Sequence, residues 1–171
     1  MSIVDKIDQY LTEGDLNESS LSRIWQFVED KNRQFGVMSA FRGDISPKEN
    51  KQRHEELKKR VRDMGYGYIE MDGGYEEEQG IVKEKSLFIP KISRKELMEL
   101  GVEYDQHTVI FKDGKGFSLI GTNVNSGIGN VVANFKHSAG RDNLIKGMKE
   151  LFSALVKGSH RGKKFLFFME D

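Results

Sequence analysis

Ser46-Pro47-Lys48-Glu49 fixes the start of one helix and thereby constrains everything around it. Ser46 can cap, Pro47 suits the first helical position because no amide is lost there, and Glu49 can bond back to complete a capping box. Leu57, Val61 and Met64 follow at helical spacing and Gly65 stops the run, so the helix is predicted to end near Met64. On either side lie short apolar runs of strand character. Phe35 to Phe41 precedes it, with so little polar interruption that a central, two-sided strand is expected. Tyr66 to Met71 and Glu84 to Ile89 follow it, joined across what reads as an acidic loop from Gly73 to Gly80.

The same grammar continues. A second box, Ser93 to Glu96, opens a short helix expected to stop at Gly101. His107 to Lys112 and Gly116 to Gly121 read as a hairpin across Asp113-Gly114, and Gly121 to Asn130 as a Gly/Asn-rich loop. Val131 to Phe135 is a strand, Leu144 to Val156 an amphipathic helix stopped by Gly158, and Lys164 to Met169 a closing strand. At the N-terminus, Ser2 to Leu11 and a segment opening at Ser19 or Ser20 form a helical pair, the second with Leu21, Ile24, Trp25 and Val28 on one face. The fold class that results is α+β: one mixed, mostly antiparallel sheet of about six strands with packed helices. Residues 1–171 are expected to form a single domain, 1–32 a helical N-terminal segment and 33–171 the α+β core.

Composition narrows the classes of function. Lys plus Arg and Asp plus Glu are 27 each, so no global field steers the chain toward nucleic acid or membrane. The absence of cysteine removes disulfides, thiolate nucleophiles and zinc-cysteine sites together. The first twelve residues mix charged with apolar side chains, unlike a signal peptide, and no apolar run approaches the ~20 residues of a membrane span, so an intracellular, soluble protein is expected. Gly158 to Lys163 is too short for a phosphate-binding loop, lacks the Ser or Thr after lysine, and follows a helix where such loops follow a strand. Glu70, Asp72 and Glu84 lack the alternating acid and lysine of a metal-dependent nuclease, and the four histidines show no ligand spacing. No cofactor and no metal site is expected, and whether the chain is an enzyme is left open.

One constellation stands out. Extending the stripe of the helix after Ser46 back toward its N-terminus lands on Asn50 and on Arg53 or His54, with Arg42 at the end of the preceding strand. Glu84 and Ser86, which share a strand face, and Gln106 are candidate partners. The group reads either as a structural polar cluster or as an anion or nucleotide pocket, with two arginines for bidentate contact beside a helix N-terminus. A third reading is simple exposure. Lys157, His160, Arg161, Lys163 and Lys164 form a basic group, read as a solvated turn or as a nucleic-acid patch.

These residues also carry a resemblance. Leu21 to Trp25, Ser39-Ala40-Phe41-Arg42-Gly43, Ser46 to Asn50 with Arg53, Gly65-Tyr66-Gly67-Tyr68 and Gly74-Tyr75 resemble a family of small proteins of tailed phages, especially large myoviruses. The likeness continues through Glu84-x-Ser86, Tyr104-Asp105-Gln106, Leu119 to Asn123 and Gly158 to Gly162. The family has more distant bacterial relatives assigned to a domain of unknown function. The resemblance implies a phage or prophage origin and adds weight to Arg42, Asn50, Arg53, Glu84, Ser86 and Gln106 as a set. The expected function is that of a phage accessory protein binding a host or phage component, in the host cytoplasm or the virion. The alternative is an enzyme or sensor for a phosphate-bearing ligand, a nucleotide or nucleic acid. A host or phage protein is the expected partner.

Overall fold

The computed structural model describes residues 18–77, 80–136 and 165–166. In chain order the elements are α1 (Glu18–Glu29), β1 (Phe35–Met38), α2 (Pro47–Asp63), β2 (Ile69–Glu77), β3 (Gly80–Pro90), α3 (Arg94–Glu103), β4 (Thr108–Asp113), β5 (Gly116–Gly121), β6 (Val131–Phe135) and β7 (Phe165–Leu166). The strands form one sheet in the order β6-β5-β4-β1-β3-β2-β7. Every pairing among the described residues is antiparallel. The fold is therefore α+β, with six longer strands and a two-residue seventh. The helix predicted over Ser2 to Leu11, the helix over Leu144 to Val156 and most of the last strand lie outside the described residues.

Alternation along the strands sorts the core into two layers. Phe35, Val37, Phe88, Ile110, Phe117 and Leu119 point to one face, where Ile24, Trp25 and Val28 of α1 cover them. Met38, Leu87, Ile89, Val109 and Phe111 point to the other, beneath Leu57 and Val61 of α2 and Leu97 and Leu100 of α3. β1 lies between β3 and β4 with all four residues buried, as an uninterrupted apolar run requires. Its polar continuation leaves the sheet at Ser39, whose hydroxyl donates to the Lys85 carbonyl.

Both caps form. Ser46 Oγ accepts from the Glu49 amide and Ser93 Oγ from the Glu96 amide. Glu96 turns its carboxylate to Ser93 Oγ (3.0 Å) and to the Tyr66 hydroxyl (2.6 Å), which fastens the start of α3 to the strand entry after α2.

Three expectations are corrected. The acidic segment 73–80 belongs largely to a hairpin: β2 and β3 pair continuously from Ile69↔Phe88 to Glu77↔Gly80, because the antiparallel ladder is made by main-chain groups whatever side chains it carries. Gly101 does not end α3, which runs on to Glu103. A Cβ on Gly101 would stand 2.7 Å from Thr122 Cγ2 and 2.9 Å from Val109 Cγ1, so this glycine lets the helix approach the sheet closely. The sheet also carries no parallel pair among the described residues, where a mixed one was expected.

A fourth feature was invisible in the sequence. Lys112, on the α1 face of β4, is completely buried. Its ammonium donates to the carbonyls of Phe27 (3.0 Å), Asp30 and Arg33, at the C-terminal end of α1. A cation there meets both the unsatisfied carbonyls and the negative end of the helix dipole.

Candidate functional site

The turn after β1 and the first turn of α2 meet through Asn50. Its Oδ1 accepts from the Arg42 amide (2.8 Å) and its Nδ2 donates to the Arg42 carbonyl (3.0 Å), a two-bond clamp that imitates a strand pairing. The Arg42 guanidinium turns outward. Its Nε and Nη2 hold Asp44 in a bidentate pair, both at 2.9 Å, and Nη1 reaches Asp105 Oδ2 at 2.7 Å and the Asp105 carbonyl. Asp105 sits at φ 51, a left-handed conformation that aspartate tolerates, and this turns both of its oxygens toward Arg42. The hydrogen bonds to Asp44 and the nearby Asp105 charge raise the Arg42 pKa above its ordinary value, while Arg42 holds Asp44 low.

Arg53 points into the cleft between α2 and α3. Nε donates to the Ala40 carbonyl (2.7 Å) and Nη2 to the Tyr104 carbonyl, with the guanidinium 5.4 Å from the centre of the Tyr104 ring. Gln106 Nε2 donates to the carbonyls of Phe41 and Tyr104, both at 3.2 Å. Arg42, Asn50, Arg53 and Gln106 therefore come together as the sequence reading expected. What they bind in this structure is main chain and two acids of the fold.

Glu84 and Ser86 do not join them. On β3 they alternate with Leu87 and Ile89, which face α2 and α3, so they share the opposite face with Phe88. Both are buried there, on the face turned away from α2 and α3. The expectation paired residues by strand face correctly and chose the wrong face. A one-residue offset in β3 inverts every side chain. The basic group Lys157, His160, Arg161, Lys163 and Lys164 lies outside the described residues.

The sequence had placed Arg53 or His54 on the stripe of α2, and both point inward. His54 is 1 % exposed, and its Nε2 lies 2.8 Å from Glu70 Oε1, which also receives Lys58 Nζ at 2.9 Å. With the carboxylate accepting, Nε2 carries the proton and Nδ1 is left as an unpartnered buried acceptor. Burial pushes the His54 pKa down, and the bond to Glu70 opposes that push, with the charges of Lys58 and Lys85 adding to the lowering. A folded value below the unfolded one means that the unfolded chain binds more protons as pH falls through the unfolded value, about 6.5. Stability that is present at pH 7.5 is then lost progressively below about pH 6.5. Urea midpoints at neutral and mildly acid pH, compared between the wild type and His54→Gln, measure this. The expected result is a smaller acid loss in the variant, and an equal loss would assign the acid sensitivity to other groups.

The internal engagement of the two arginines also ranks them. Arg53→Ala leaves two carbonyls without a charged donor and should cost about 1.5–3 kcal/mol. Arg42 is 29 % exposed and its partners more so, so Arg42→Ala should cost only about 0.2–1 kcal/mol through the side chain. Urea denaturation of both variants checks the order, and a larger loss for Arg42→Ala would contradict it.

A second surface lies at the far side of α3. The loop after β5 is closed at its base by Gly121 N–H to the Asn130 carbonyl (2.8 Å) and Gly129 N–H to the Gly121 carbonyl (2.9 Å). Within it, Asn123 Oδ1 accepts from the amides of Asn125 (3.1 Å) and Ser126 (3.0 Å), and Ser126 Oγ reaches the His107 carbonyl at 2.6 Å. Gly121 admits this arrangement, since a Cβ there would stand 2.3 Å from the Gly127 carbonyl oxygen. The loop so held presents Val124 (87 % exposed) and Ile128 (56 %) to solvent. Ile128 faces Met98 and Val102 of α3 across an open apolar groove of about 760 Å³. Sequence reasoning described this stretch as a loop and missed the surface. The available signal was two aliphatic side chains among Gly and Asn residues, where a solvated loop would carry polar ones.

No group of three or more His, Cys, Asp or Glu side chains is placed to hold a metal among the described residues. Among the same residues, no helix is long and apolar enough to cross a membrane. Residues 43–109 match the model of a family described as a protein of unknown function (DUF3293). The match spans α2 to the start of β4, and so contains Asn50, Arg53, Glu84, Ser86 and Gln106, with Arg42 just outside it. It agrees with the resemblance to a domain of unknown function. No curated protein matches the chain.

Proposed function

We propose that this chain is a phage-encoded accessory protein that works by docking a partner protein, of the phage or of its host, in the host cytoplasm or the virion. The phage origin rests on the motif resemblance. The docking role rests chiefly on one observation: a hydrogen-bonded loop holds Ile128 exposed opposite Val102 and Met98, lining an apolar groove. Aliphatic side chains held in solvent in this way contribute nothing to the core of the fold. Preorganisation lowers the ordering cost of binding.

The Arg42, Asn50, Arg53 and Gln106 cluster is read as a tie between the end of β1, the start of α2 and the end of α3. Most of its donors go to Ala40, Phe41, Tyr104, Asp44 and Asp105, which weighs against a phosphate ligand between the arginines. Affinity capture from infected cells, with the wild type beside Val102→Asp and Ile128→Asp, tests the docking role. A partner enriched by the wild type and lost from both variants is expected. Equal capture by all three, or no enrichment together with absence from purified virions, would overturn it.

A further inference from the structure

We infer that the segment docked in this groove is acidic as well as aliphatic; the inference rests on the docking role and adds the partner's chemistry. The groove along α3 continues past Arg94 into a second recess of about 290 Å³ over the α3-side face of β5 and β6, and Arg94 lines both. Among the described residues, four cations border the two recesses: Arg94, Lys95, Lys115 and Lys136. Two acids, Glu99 and Asp113, stand against them. None of the four cations forms an ion pair among the described residues, whereas Arg33, Arg42, Lys58 and Arg60 all do. The whole chain is neutral, so this local excess is a property of the surface and not of its background.

The groove between the cations is aliphatic, with Met98, Val102 and Ile128, while the recess beyond joins Val131 to the polar Ser118 and Asn134. An aliphatic segment carrying Asp or Glu at its margins answers both features, burying its apolar side chains while its carboxylates meet these cations. Nucleic acid fits less well, because among the described residues the apolar groove has no aromatic ring on which a base could stack, and at the recess Phe111 is buried and Phe135 is itself stacked on Phe117 at 4.3 Å.

The test is selection of a random short-peptide library on the full-length protein, followed by binding of synthetic versions of the enriched peptides. Peptides mixing Asp or Glu with Val, Ile or Leu are expected. Their affinity should fall with added salt, and by roughly tenfold or more in the double variant Arg94→Glu with Lys136→Glu. Thermal unfolding of the variants establishes that these exposed changes leave the fold intact. Aliphatic peptides without acids, lost with Ile128→Asp but indifferent to the charge reversal, would overturn the inference while leaving the docking role standing. Absence of any peptide sensitive to Ile128→Asp would remove both. Single-stranded DNA bound through the same cations, or a dimer in sedimentation velocity abolished by Ile128→Asp, would replace the acidic segment with another occupant and overturn it as well.

Discussion

Lys112→Ala is expected to lower the stability of this protein by about 2–5 kcal/mol, as truncating a large buried side chain and stranding its hydrogen-bond acceptors does. The side chain is 0 % exposed and its ammonium serves three carbonyls at the end of α1. Truncation leaves those carbonyls buried without a donor and opens a cavity between Phe35 and Phe117, whose ring centres each lie 5.9 Å from Nζ. Lys112→Met, which keeps the volume, should recover the cavity part of the loss only. Urea denaturation of the two variants separates the contributions, and a loss under 1 kcal/mol for Lys112→Ala would mean that α1 does not depend on this contact.

The same lysine has a signature in pH. Burial pushes it from an ordinary 10.5 down to about 8, against the pull of Asp30 and Asp113. Between those values the unfolded chain holds a proton that the folded chain has released. Stability therefore rises with pH across that window, and the penalty for the buried charge is fully present below about 8. The rise is on the order of 3 kcal/mol, from 1.36 kcal/mol for each unit of difference. Tyr66 and Tyr104, whose pKa values are raised, act in the opposite sense at higher pH, so the comparison belongs between about pH 7.5 and 9.5. The wild type should gain stability over that range and Lys112→Met should not.

Leu57→Ala carries the second large expected effect, about 2–5 kcal/mol. Leu57 and Val61 of α2 are fully buried in one cluster with Met38, Leu87 and Ile89, and this packing fixes the helix on the sheet. Lys59, two positions on, points to solvent, and Lys59→Ala should stay within about 0.5 kcal/mol. Denaturant midpoints of the pair report the facing of the helix directly. Similar losses at both positions would show it wrong.

The contrast between Leu57 and Lys112 shows what kind of information a sequence carries. Leu57, Val61, Ser46 and Gly65 announce α2 because helix periodicity, capping and termination are local, set within a turn or two of chain. The central position of β1 followed for the same reason, from an uninterrupted apolar run. Even the Arg42 and Asn50 contact was within reach, since eight residues and one helix start separate them. Glu84, Ser86 and Lys112 depended on something else. A strand's period of two says which side chains share a face, and the choice between the two faces belongs to the helices that cover each. Lys112 lies 82 residues from Asp30 in the chain, and nothing near it in sequence foretells three carbonyls waiting at a helix end. The groove at Ile128 is of the same kind, made only where the loop after β5 comes to stand beside α3. The sequence by itself determined the starts of α2 and α3 with their caps, the central strand β1 and the α+β class, because those follow from short-range sterics and hydrogen bonding. Tertiary structure alone decided which polar groups were satisfied and which apolar ones were left outside, because partnership and exposure depend on segments that the chain brings together from far apart.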